Sequence, residues 1–343
     1  MRKLLNTLYV SSQGSYLRKE GETVVVEREG AKVLQLPAHT LGGIVCFGNV
    51  LCSPFLLGFC AESDIGVSFL SEHGKFLASV RGPVSGNVLL RRRQYRLADD
   101  EEATKAIASN IVAGKLANCR VVMNRAARDH GDRIDSGAVK NSSAAIDRII
   151  DELPKAVDAD AVRGFEGMAA AEYFGVFNHF IVEQKEGFVF ADRNRRPPLD
   201  PVNALLSFVY TLLAHDVRSA LETVGLDPAV GFLHRDRPGR PGLALDLMEE
   251  FRPVIADRLV LSLINRRQVE AKGFRRAESG AVVMDDATRK TVLVEYQNRK
   301  QDEVVHPYID EKVPVGILFF VQANLMARFI RGDIDGYPPF FWR

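Results

Sequence analysis

The hydrophobic period of this chain changes once, and that change constrains its fold more than any other feature. Up to about residue 81 the apolar residues come in short runs: Leu8 to Val10, Thr23 to Glu27, Ala31 to Leu36, Gly43 to Phe47 and Gly66 to Leu70. Gly21, Gly30 and Gly74 separate several of them, as turn residues separate strands. One helix interrupts the series, because Ser53 and Pro54 suit an N-cap and first turn ahead of Phe55 to Ala61. After Gly82, Pro83 and Gly86 the spacing becomes helical, over Arg91 to Arg96 and onward, Glu101 to Arg128, Ser142 to Leu153, and Ala161 to Phe180. The expected class is α+β: a small N-terminal β-rich domain, residues 1–90, and a larger, mainly α-helical domain, residues 91–343. A length of 343 residues suits two domains, each with its own core.

Further along, Asp200 and Pro201 start a helix over Val202 to Val224, and Gly225 stops it. Another helix is expected over Leu243 to Asn265, kinked or split at Pro253. Between them Leu226 to Gly242 holds three prolines, three glycines, three arginines and His234, and reads as a functional loop. Val282 to Met284 and Thr291 to Glu295 suggest a small hairpin, and Val313 to Arg331 a last helix before the tail from Gly332 to Arg343. Met1 to Val10 lacks the apolar core of a secretory signal, and the apolar stretch Ala204 to Ala214 is too short for a bilayer, so a cytoplasmic protein without membrane association is expected. Cys46, Cys52, Cys60 and Cys119 show no CxxC spacing and read as reduced thiols rather than zinc ligands.

Chemistry can reside in two places. Ala169, Ala170, Tyr173, Val176 and Phe177 define the inward face of one helix, and Glu166 falls on it, where an unpaired carboxylate is costly. The plainer reading is a helix-start glutamate stabilised by the macrodipole. In the second place His234 precedes a helix start on which Asp246 and Glu249, three residues apart, share a face with Leu245 and Met248. Two acids and an imidazole suit a divalent ion, manganese or magnesium; an ordinary ion pair from Glu249 to Arg252 is the plainer alternative. A formal charge of +1 gives no global attraction to phosphate, so nucleic-acid contacts must be local. Arginine clusters supply them: Arg91, Arg92, Arg93 and Arg96; Arg193, Arg195 and Arg196; Arg235, Arg237 and Arg240; and Arg266, Arg267, Arg275 and Arg276. Walker, GxGxxG, GxSxG and HExxH motifs are absent, and His39, His73, His130, His179, His215 and His306 lack a catalytic spacing.

Phe165-Glu166-Gly167 with Ala169-Ala170 and Tyr173-Phe174, then Pro201-Val202-Asn203-Ala204-Leu205-Leu206-Ser207, then Gly231-Phe232-Leu233-His234, then Leu245-Asp246-Leu247-Met248-Glu249-Glu250-Phe251-Arg252-Pro253, resembles the CRISPR-associated integrase-nuclease family in order and spacing. The resemblance covers nearly the whole chain. It implies a β-sandwich-like N-terminal domain that dimerises and a helical catalytic domain. It also implies homodimers that flank a small ferredoxin-like adaptation subunit, and insertion of short DNA duplexes into a CRISPR array by 3′-hydroxyl attack on a phosphodiester. A nuclease that cuts branched or single-stranded DNA without integrating is the alternative. Carried over by position, Glu166, His234 and Glu249 would hold Mg2+ or Mn2+ and act as the catalytic set, with Asp246 as a possible additional acid. Aspartate is frequent in the family where Glu249 stands, which leaves the third ligand open between Asp246 and Glu249. Arg235, Arg237, Arg240, Arg266 and Arg267 are the candidate DNA contacts.

Overall fold

The computed structural model describes residues 6–63, 65–72, 76–80, 88–194 and 196–342. His73, Gly74, Gly82, Pro83, Gly86 and Arg195, to which the sequence assigns a side-chain role, a turn or the domain boundary, lie outside the described residues, as do the first five residues and Arg343. The chain forms two compact units, residues 1–86 with 289–297 and residues 87–288 with 298–343. The stretch 289–297 therefore clusters with the first unit and not with the second, where a single division at residue 90 would put it.

In the first unit the elements are β1 (Asn6–Val10), β2 (Ser15–Glu20), β3 (Thr23–Arg28), β4 (Ala31–Pro37), β5 (Leu41–Phe47), β6 (Val50–Cys52), α1 (Pro54–Glu62), β7 (Gly66–Leu70) and β8 (Phe76–Val80). They form two four-stranded sheets, ordered β1-β5-β7-β8 and β4-β3-β2-β6. Strands β1, β5 and β7 run parallel, and β8 returns antiparallel to β7. One core joins the sheets: Leu17, Val24 and Val26 come from one, Ile44, Cys46 and Val67 from the other, and Leu56 and Cys60 from α1. Alternation explains this, since successive strand residues face opposite ways and one face of each sheet must leave water. Ser53 caps α1 by accepting a hydrogen bond from the Leu56 N–H at 3.1 Å. All four cysteines are free thiols.

In the second unit the helices are α2 (Val88–Ala98), α3 (Glu101–His130), α4 (Ser136–Glu152), α5 (Ala159–Gly175), α6 (Pro201–Thr223), α7 (Gly242–Met248) and α8 (Arg258–Asn265); α9 (Asp286–Gln301) is the helix that lends 289–297 to the first unit, and α10 (Val315–Arg331) follows. Two small hairpins complete it, β9 (Phe274–Arg276) with β10 (Val282–Met284), and β11 (Glu303–Val305) with β12 (Lys312–Pro314). Aspartates set the helix starts: Asp100, Asp135, Asp158 and Asp200 each accept an N–H from the residue three positions on. Val282–Met284 is a strand, but its partner is β9; Thr291 to Glu295, expected as the other strand, is helical. Asp285 explains the difference, because its carboxylate caps the Thr288 N–H at 2.7 Å and starts α9 ahead of the β-branched run. Pro253 splits the expected long helix, and Arg252–Asp257 widens into a π-helical turn between α7 and α8. Among the described residues no helix is long and apolar enough to cross a membrane.

Candidate active site

The site begins with a lysine on an apolar stripe. Ile111, Val112, Leu116 and Cys119 are buried on α3, and Lys115 lies among them with its side chain only 8% exposed. A lysine so buried needs anionic partners. Two carboxylates supply them: Glu166 from α5 through Oε1, and Glu249, just past α7, through Oε2 at 2.8 Å from Nζ. The Arg252 guanidinium binds the other oxygen of Glu249 at 2.7 Å. His234 completes the group, with Nε2 at 3.9 Å from Glu249 Oε1.

Asp246 has a different task. It is fully buried, and its oxygens accept the backbone N–H groups of Phe232, Leu233 and His234 at 2.6, 3.0 and 2.9 Å. Its Oδ1 also meets His234 Nδ1 at 2.7 Å. An ionised carboxylate can only accept, so Nδ1 carries a proton, and Nε2 is the ring nitrogen that faces Glu249. The loop is pinched behind His234, since a Cβ on Gly231 would lie 2.6 Å from the Gly242 carbonyl carbon and 2.7 Å from Asp246 Oδ2. Arg163 of α5 donates to the Leu233 carbonyl at 2.9 Å and pairs with Asp160, which also holds Arg235.

Burial alone would raise the Glu249 pKa. Arg252 and Lys115 outweigh it and hold the carboxyl at about 2, so Glu249 is anionic at neutral pH. Burial likewise disfavours the Lys115 charge, yet Glu249 and then Glu166 push its pKa above the ordinary lysine value. Arg252 is held from behind, its guanidinium 4.9 Å over the Tyr210 ring, while the Tyr210 and Tyr173 hydroxyls donate to Asp257 at 2.6 and 3.1 Å. Burial raises the Asp257 pKa to about 6. The neighbouring Glu250 faces away from this group: it accepts from Tyr337, Gln322 and the Phe340 N–H, which ties the C-terminal tail beneath Glu249.

The structure thus brings together Glu166, His234, Asp246 and Glu249, which lie far apart in sequence. Arg235 is 65% exposed and tied to Asp160, Arg237 is exposed and Arg240 half-buried on the same loop. Arg266 and Arg267 stand apart from that network at the end of α8, where Arg267 pairs with Glu183. Lys115 and Arg163 escaped the sequence reading as site residues, whereas the Glu249–Arg252 ion pair expected there as the plainer alternative is present. Lys115 had a legible signal, a cation where the stripe Ile111, Lys115, Cys119 demands an apolar side chain.

As a donor set, two carboxylates and an Nε2 whose ring is oriented by a third carboxylate, Asp246, fit a hard or borderline divalent cation. Among the described residues no three His, Cys, Asp or Glu side chains stand in ready-made ligand geometry, and the Lys115 ammonium is the group that Glu166 and Glu249 now share.

Comparison with known proteins reaches the same region of sequence space. A family model described as CRISPR associated protein Cas1 matches residues 8–298. The chain is 56% identical over 343 residues, the full length of both proteins, to a protein of Chlorobaculum tepidum named CRISPR-associated endonuclease Cas1 1. It shares its fold with a casposase bound to integration product, at 22% identity and a TM-score of 0.86 over 99% of this chain and 95% of the other. It also shares it with a chain of a Cas6-RT-Cas1–Cas2 complex, at 21% identity and a TM-score of 0.81 over all of this chain and 36% of that one. The match to the family model and the full-length identity to a named relative show that this chain belongs to the Cas1 family of CRISPR-associated proteins.

Proposed function

We propose that the chain is a divalent-metal-dependent DNA endonuclease and integrase that joins short duplexes to a CRISPR array by 3′-hydroxyl attack on a phosphodiester. One observation carries the reading: Glu166 and Glu249 meet on the Lys115 ammonium, and His234 Nε2 faces Glu249 at 3.9 Å with its imidazole held by Asp246. The endonuclease name of the Chlorobaculum relative and the integration product held by the casposase of like fold support it.

Glu166, His234 and Glu249 would hold Mg2+ or Mn2+, and a bound ion of this kind supplies Lewis-acid polarisation of the target phosphate and stabilisation of the leaving oxygen. The remaining roles belong to the chain. Asp246 holds His234 in its tautomer and fixes the loop, so it positions the imidazole and Glu249 is the direct carboxylate. Arg252 and Lys115 keep Glu249 ionised. Arg235, Arg237 and Arg240 lie on the loop that carries His234 and offset the charge of incoming phosphates. The sheet-rich unit would join two copies, and a small ferredoxin-like subunit would bridge two such dimers, as the family resemblance implies.

The test is joining of a fluorescent 3′-hydroxyl duplex to a supercoiled array plasmid, with and without Mn2+, for the intact chain and His234→Ala, each supplied with the small partner subunit. Metal-dependent joining that His234→Ala abolishes is expected. Cut but unjoined plasmid would instead favour a hydrolytic nuclease, and joining that survives in the variant would remove His234 from the site.

A further inference from the structure

We infer that Lys115 is a resident cation that stands in for the divalent ion in the metal-free protein and sets the affinity of the site by competing for Glu166 and Glu249. The inference rests on the metal reading given above and goes beyond it in assigning a role to a residue outside the ligand set.

Its first ground is geometric. The ammonium contacts both carboxylates of that set, Glu249 at 2.8 Å, so an ion shared by Glu166 and Glu249 requires Nζ to give up its place. The second is energetic. Glu249 is 2% exposed, and two carboxylates facing each other there with Arg252 bound to Glu249 alone would be disfavoured as anions, so a second cation belongs between them. Lysine suits this exchange because its charge rides on a flexible four-carbon stem, whereas arginine would hold both carboxylates in a fixed fork. An exit exists as well, since Glu166 remains 26% exposed and opens the cluster to water on its side.

The experiment titrates the metal-free full-length protein with Mn2+ and reads free Mn2+ by electron paramagnetic resonance, for the intact chain, Lys115→Met, Lys115→Gln and His234→Ala. Lys115→Met is expected to lower the Mn2+ Kd at least about tenfold, with Lys115→Gln between the two. Equal or weaker Mn2+ binding by both lysine variants, with His234→Ala still impaired, overturns the role of Lys115 and leaves the metal site standing. Equal binding by the intact chain and His234→Ala overturns the site and the inference together. Should both lysine variants fail to fold, the intact protein still decides: saturating Mg2+ is expected to shift the 15Nζ resonance of Lys115, and an unmoved resonance overturns the exchange.

Discussion

Replacing Asp246 by asparagine tests the architecture of the site with a change of one atom. The carboxylate takes four donors, three backbone N–H groups at 2.6 to 3.0 Å and the imidazole Nδ1 at 2.7 Å. An amide offers one oxygen and turns two hydrogens toward the rest. If the amide oxygen stays on the backbone, its nitrogen confronts Nδ1–H; relief comes when the imidazole moves its proton to Nε2, the atom that faces Glu249. Hydrogen bonds to a charged group contribute about 1.5–3 kcal/mol each, and a buried donor left unpaired costs about 1–3 kcal/mol. Partial rearrangement around the amide therefore sets a stability loss of roughly 2–4 kcal/mol. Loss of the imidazole's orientation lowers metal affinity by about 10–100-fold, which is the usual cost of removing such a support. Thermal melting gives the first quantity, Mn2+ titration the second, and strand joining the consequence. Asp246→Asn with intact joining and unchanged Mn2+ binding would show that His234 is not positioned through Nδ1.

Four further outcomes follow from the same geometry. Phe340→Ala should destabilise the protein by about 3–5 kcal/mol, because the ring is 1% exposed and packs against Phe251 and Trp342; equilibrium denaturation checks this. Burial raises the Glu250 pKa to about 8, so the folded state binds a proton there that the unfolded chain releases near 4.5. This contribution is complete below pH 4.5 and is lost as pH rises toward 8, so Glu250→Gln should gain on the parent across that window in melting experiments. Replacing Arg235, Arg237 and Arg240 together by glutamine should weaken DNA binding most at low salt and reduce the slope of log affinity against log salt, by up to about 3 if each meets a phosphate. Leu17→Ala, at a side chain with no exposure, should cost about 2–5 kcal/mol and leave Mn2+ binding by the second unit unchanged.

The sequence announces elements where local chemistry and packing agree. Ser53 with Pro54 and Asp200 with Pro201 start helices because cap and ring geometry act before any tertiary contact forms. It misleads where they compete. Thr291-Val292-Leu293-Val294-Glu295 has strand composition, yet the Asp285 cap places it in α9. Strand β2 was invisible because Ser15 and Leu17 are its only buried residues. In the site, family resemblance marked Glu166, His234, Asp246 and Glu249, but spacing cannot separate Asp246 from Glu249, which are three apart on one helical face. Only the return of the Phe232–His234 backbone onto Asp246 sets the two apart, and that is a contact between distant turns. Lys115 went unnoticed since its meaning depends on two carboxylates that lie 51 and 134 residues further along the chain.

The close approach of Gly231 and Gly242 makes the intervening segment a noose drawn tight at its knot. His234 sits beside the knot, fastened by Asp246, while residues 236–240 form the far end of the noose. Under the proposed function, substitutions among the arginines at the tip would change the grip on nucleic acid and leave the fastened imidazole in place.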